Sequence, residues 1–117
     1  MFTALVIGAV LLAAMCVSSA SIKLRRNERA VAIIGGTVGV PLRFFPVLAF
    51  LELAGAAGIL IGLWLEPLGI AAAAGLVAYF IGAVTGHLRV GDTKNLTMPL
   101  VPLALSIAVL VLRLVTA

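Results

Sequence analysis

Three side chains in this sequence are of types that handle protons and stand where such groups are unusual: Glu52, Tyr79 and His87. Glu52 interrupts PVLAFLELAGAAGIL (46–60), a run otherwise built from apolar residues, glycine and one proline. A carboxyl group in an apolar medium is disfavoured as an anion, so a neutral or proton-sharing acid is expected, able to serve as a proton donor. Tyr79 supplies a phenolic hydroxyl, and His87 an imidazole whose two ring nitrogens can donate and accept. Gly75, Tyr79, Ala83 and His87 recur every four residues, which sets tyrosine and histidine on one helix face. Together they suit general acid–base catalysis, with Glu52, Tyr79 and His87 as the candidate catalytic groups. Ser106, Cys16, Arg43 and Arg89 complete the set as candidate ligand-binding residues, although Cys16 also reads as a small buried hydrophobe and the two arginines as interface anchors with snorkelling stems.

Those residues need elements to position them, and composition says which kind. The chain has 117 residues, 64% of them hydrophobic and 10% charged, with a mean hydropathy of +1.33. A soluble domain carries about 25% charged residues. This is an all-α integral membrane chain, a single transmembrane domain over 1–117. One cysteine excludes an internal disulfide and a CxxC pair, and with one histidine and four acids no metal site is expected. No P-loop pattern is present, so no nucleotide site is expected; with His87 the one histidine, no haem ligation is expected either, and no cofactor is assigned. The net charge of +4 comes from basic residues clustered between apolar segments, which speaks for membrane orientation rather than nucleic acid.

Four apolar segments, about 2–22, 44–65, 67–88 and 96–115, are each near the ~20 residues that cross ~30 Å of hydrocarbon as a helix. The first has no basic region before it, so it is expected to be a retained helix rather than a signal peptide. Pro46 and Pro67 fall in first turns, where a missing N–H costs nothing. Glu66-Pro67 makes a tight link that forces the second and third helices to be antiparallel neighbours, and Asn95 or Thr97 is the expected cap of the fourth. The segment 23–43 is expected to be cytoplasmic and to carry, over Asn27–Ile34, a short interfacial or re-entrant helix ended by Gly35-Gly36. Seven of the eight basic residues lie in the links 21–43 and 89–96, which predicts a multi-pass cell-membrane protein with both links in the cytoplasm and both termini outside.

At a rise of ~1.5 Å per residue, Glu52 lies roughly 13 Å below the cytoplasmic boundary and Tyr79 roughly 15 Å, so the two are expected to face each other, with His87 only roughly 3 Å deep. Two small-residue stripes, Ala54/Gly58/Gly62 and Ala78/Gly82/Gly86, predict close-packing seams within one bundle or between two, so a homodimer or a partner membrane subunit is compatible. Since an acid inside a membrane helix is costly, a functional role for Glu52 outweighs a purely structural hydrogen bond.

The stretch VGVPLRFFPVLAFLELAGAAGILIGLWLEPLGIAAAAGLVAYFIGAVTGHLRVGD resembles the DoxX-like family of small four-helix membrane proteins. The features that carry the resemblance are Gly39-Val40-Pro41, Glu52-x-x-Gly55, Pro67-Leu68-Gly69 and His87-Leu88-Arg89, within about residues 21–117. It implies an antiparallel four-helix membrane bundle. Some named relatives of that family are associated with sulfur or quinone-linked redox complexes, and distant four-helix relatives bind or isomerise sterols with intramembrane acids. By that resemblance Glu52 would be the acid or base and His87 its partner, although a single acid inside the helices departs from a two-carboxylate mechanism.

Residues and resemblance together lead to an intramembrane pocket in the cytoplasmic half, lined by Glu52, Tyr79 and His87. It would take a lipophilic ligand (a quinone, isoprenoid, sterol-like or polyketide molecule) from the bilayer. Cofactor-free acid–base catalysis there would be an isomerisation, a cyclisation or an epoxide-type ring opening. Two other readings stand beside it: a non-catalytic quinone-linked redox or assembly subunit, and a proton-coupled exporter like the small multidrug-resistance transporters. Against the exporter stand the position of Glu52 in the second helix and the seven-to-one charge bias.

Overall fold

The structure, a computed structural model, describes residues 2–25, 31–39, 41–94 and 96–116. It is helical, with no strand among the described residues. Four main helices form it: α1 (Phe2–Leu24), α2 (Phe45–Ile61), α3 (Glu66–Arg89) and α4 (Thr97–Val115). A π-helical segment (Val31–Val38) and a 3-10 turn (Leu42–Phe44) lie between α1 and α2. Each main helix packs on its neighbours in sequence, and α4 closes the ring on α1. Contacts between the end of one helix and the start of its neighbour fix the antiparallel order: Gly62 meets Gly69, Val109 meets Gly8, and Arg113 meets Gly69. The molecule is 43 Å long, comparable to a bilayer of about 40–45 Å with its headgroups.

Hydrophobicity does not single out one face of these helices, because apolar residues surround them. Phe50 is 70% and Trp64 82% exposed, and Ile7, Val10, Leu11, Val17 and Ile81 also face outward. Size and polarity select the interior instead. On α1 the inward stripe is Leu5, Ala9, Leu12, Cys16, Ala20 and Lys23, spaced by three and four residues. On α3 it is Gly69, Ala73, Leu76, Phe80 and His87.

Helices α1 and α3 are long and apolar enough to cross a membrane, with mean hydropathies of 2.3 and 2.0. The expected second span, 44–65, is cut short. Its helix has 17 residues and stops at Ile61, followed by a turn over Gly62–Trp64. The cause is local: an added Cβ at Gly62 would stand 2.2 Å from the Gly69 Cα, so the two backbones touch where the chain reverses. Pro46 and Pro67 do sit in first turns.

Other boundaries move as well. Helix α1 runs two residues beyond 22, taking Lys23 into its last turn. The residue before α4 is Leu96, with no side-chain cap; Thr97 is already helical, and Asn95 lies outside the described residues. Of the short helix expected over 27–34, residues 27–30 are outside the described residues. The remainder does not end at Gly35-Gly36 but continues to Val38, and Gly39 follows at φ 90°, a left-handed conformation that suits glycine. The small-residue seams differ too. Helix α2 packs on α3 through Gly55, Gly58 and Gly62, against Leu76, Ala72 and Gly69. Ala54 and Ala78 are exposed, and nothing lies within 4 Å of an added Cβ at Gly82.

Candidate functional site

Glu52 stands in the eighth position of α2, completely buried. Its Oε1 collects three donors from two other helices. The Tyr79 hydroxyl of α3 donates across 3.1 Å and the Ser19 hydroxyl of α1 across 3.1 Å. The third donor is the ammonium of Lys23, which also donates to Ser19 Oγ at 2.7 Å. The Lys23 Nζ lies 5.8 Å from the centroid of the Tyr79 ring. Oε2 is buried with no hydrogen-bond partner among the described residues. One carboxylate oxygen therefore ties three helices together, and an ion pair lies at the knot.

The expected pairing of Glu52 with Tyr79 is present, but the lysine was not anticipated. Read as the first charge of a cytoplasmic link, Lys23 had no role in a site. It belongs to the inward stripe instead, seven residues after Cys16 and four after Ser19. Side chains on a helix tilt toward its N-terminus, so a lysine in the last turn of α1 leans back into the bundle. The spacing Leu5-Ala9-Leu12-Cys16-Ser19-Lys23 was the signal that could have found it. The acid expected to stand alone in the apolar interior thus has a basic partner on α1.

A cavity of about 780 Å³ opens beside this cluster, between α1 and α3. Leu11, Met15, Ile22, Leu48 and Phe80 give it apolar walls, and Ser19, Lys23, Tyr79 and His87 give it polar ones. Ile34 of the π-helical segment and Pro99 of α4 border it at the same end. Gly82, Ala83 and Gly86 make room: the face expected to be a packing seam is cavity wall. The volume falls in the ~300–1,000 Å³ range of small-molecule sites.

Glu52 itself is not part of the lining. It stands behind Ser19, Lys23 and Tyr79, and would exchange protons with an occupant only through them. His87 does line the cavity but does not meet Glu52; its Nδ1 lies 2.8 Å from Asp92 Oδ2. Asp92 is held there by its own backbone N–H, which donates to the His87 carbonyl at 2.9 Å just past the end of α3. With the carboxylate accepting from Nδ1–H, Nε2 is the ring nitrogen left for an occupant.

The four candidate ligand-binding residues lie elsewhere. Cys16 is wholly buried in the apolar core. The Ser106 hydroxyl donates to the Pro102 carbonyl of its own helix at 2.6 Å, the local bond a buried serine makes when no other acceptor is near. Arg43 is exposed and stacks over the Phe44 ring, and Arg89 is exposed at the end of α3. None of the four lines this cavity. The described residues hold no group of three or more metal-binding side chains.

Comparison with known proteins places this architecture. A family model described as the DoxX-like family matches residues 7–109, which is most of the chain. The chain belongs to the DoxX-like family. Membership supports association with a lipid bilayer, in keeping with the two long apolar helices and the apolar exterior. No curated protein and no solved structure matches the chain.

Proposed function

We propose that this DoxX-like protein crosses the cell membrane four times, with both termini outside the cytoplasm, and binds a lipophilic molecule in the cavity between α1 and α3. The observation that carries the reading is the distribution of polarity in that cavity. Its walls are apolar over most of their area, while the donors and acceptors that could fix an occupant, Lys23, Ser19, Tyr79 and His87, come from only two helices. A quinone, isoprenoid, sterol-like or polyketide molecule with one oxygenated end has that polarity. Such a molecule would reach the cavity from the bilayer, because the α1 residues Leu11, Ser18 and Ile22 both line it and face outward.

Where the occupant is transformed, the groups that touch it would be Tyr79, Lys23 and His87. Glu52, one hydrogen bond behind Tyr79 and Lys23, would return or remove the protons of those two, while Asp92 stands behind His87. This suits an isomerisation, ring opening or cyclisation without a cofactor. In the non-catalytic version the same cavity holds a quinone for a partner redox subunit. The exporter reading has less support, because Glu52 is bound to Lys23 and set behind the wall rather than presented to a passing substrate.

Gly82 offers the test. It lines the cavity, and nothing lies within 4 Å of an added Cβ. Gly82→Leu should fill the space with the helix intact. In nanodiscs, a fluorescent lipophilic quinone should bind the wild type and lose at least tenfold in affinity for Gly82→Leu, but not for the control Gly75→Leu. Equal binding by the wild type and Gly82→Leu would remove the cavity from consideration.

A further inference from the structure

We propose that Lys23 is a covalent site, whose amine condenses with the carbonyl carbon of a lipophilic aldehyde or ketone lying in the cavity. The inference rests on the cavity being a lipophile site, and it names the functional group that such a lipophile carries. A lysine that served only to neutralise Glu52 would be enclosed by protein. This one is buried yet part of the cavity wall. Of the three donors on its nitrogen, Ser19 and Glu52 are the hydrogen-bond partners among the described residues and engage two, which leaves one direction for an occupant.

Imine formation needs a base to take a proton from the ammonium and an acid to protonate the departing oxygen. Glu52 touches Nζ, and its Oε1 also holds the Tyr79 hydroxyl. Proton transfer from Nζ to Glu52 frees the lone pair, which attacks the carbonyl carbon. A C–N bond forms, the carbonyl π pair moves onto oxygen, and the second proton of the now cationic nitrogen passes to that oxygen, giving a carbinolamine. Loss of that hydroxyl as water, with a proton returned through Glu52 or Tyr79, leaves the protonated imine. The sum is ammonium plus carbonyl giving iminium plus water, with no change of oxidation state. The charge balance favours the site, because ammonium and iminium carry the same charge in the same place. Glu52 is thus the counter-ion before and after, and no uncompensated charge is buried. Lysines in desolvated pockets are the ones that serve as Schiff-base nucleophiles.

The test treats the whole protein, in phosphatidylcholine nanodiscs, with hexadecanal and then borohydride, which converts an imine to a stable secondary amine. The chain has only two lysines, Lys23 and the exposed Lys94, so peptide mass mapping is unambiguous. The expected result is one hexadecyl group on Lys23, at least tenfold above Lys94, absent in Lys23→Arg and slowed at least tenfold in Glu52→Gln. Hexadecanol, which cannot condense, is expected to bind the wild type and to compete with labelling. Labelling of both lysines to the same extent would overturn the proposal. Hexadecanol binding without an adduct on Lys23 would overturn the covalent step alone, leaving the lipophile site intact. Absence of both binding and adduct would overturn the two together.

Discussion

The knot at Glu52 can be weighed by removing its members one at a time. Lys23→Met keeps the length and apolar stem of the side chain but takes away the ammonium. A buried carboxylate is then left with two neutral donors, Ser19 and Tyr79, on one oxygen and, among the described residues, none on the other. Breaking one side of a buried ion pair costs about 3–5 kcal/mol. Glu52→Met strands the lysine instead and should cost a similar amount. The double variant strands neither charge, and replacing a buried pair by apolar residues of similar size is often neutral or even stabilising. Its loss should therefore be well below the sum of the two single losses, with a coupling of about 3 kcal/mol or more. Tyr79→Phe removes one hydrogen bond to a charged acceptor and should cost about 1.5–3 kcal/mol. Denaturant titration in mixed micelles, followed by helical circular dichroism, reads all four variants. Distant, independent sites add to within about 0.3–0.5 kcal/mol. If the two single losses add that closely, Lys23 and Glu52 are not in contact and the reasoning fails.

Two further outcomes follow from the packing. Gly62→Ala would push a methyl group to 2.2 Å from the Gly69 Cα and 2.5 Å from its nitrogen, so the α2–α3 turn must open; the same titration should show a loss of at least about 1–3 kcal/mol, while Gly75→Ala, with open space around its new Cβ, should lose nothing. Arg113 is buried with its Nε unpartnered among the described residues and a 3.5 Å contact to the 40%-exposed Glu66 side chain, so Arg113→Met is expected to leave the melting temperature unchanged or raise it, whereas a marked fall would mean that the Glu66 pair stabilises the fold.

Much of this was legible residue by residue. Glu52, Tyr79 and His87 stood out because an apolar chain leaves few side chains able to handle protons, and helical rise alone put Glu52 and Tyr79 at similar depth. The antiparallel arrangement of α2 and α3 followed from the short link before Pro67. Lys23 was missed because its neighbours Arg25 and Arg26 made it look like the start of a basic link, although its spacing from Cys16 and Ser19 already matched the inward stripe. The packing seam on α3 was misplaced because glycines at four-residue spacing are equally consistent with a close helix contact and with an opening. A one-dimensional pattern gives the small face but not what lies opposite it.

The sequence by itself determined that this is a helical membrane chain of the DoxX-like type, with one acid deep inside it and a phenol at its level. Composition and periodicity suffice for that, since a bilayer admits few folds and makes every buried charge conspicuous. Only the tertiary structure decided what the acid does with its charge. Glu52 is paired with Lys23 and screened from the cavity by Lys23, Ser19 and Tyr79. His87 belongs to the cavity but answers to Asp92. Those distinctions depend on which way side chains lean and which helices stand apart, and both are settled between helices rather than along them.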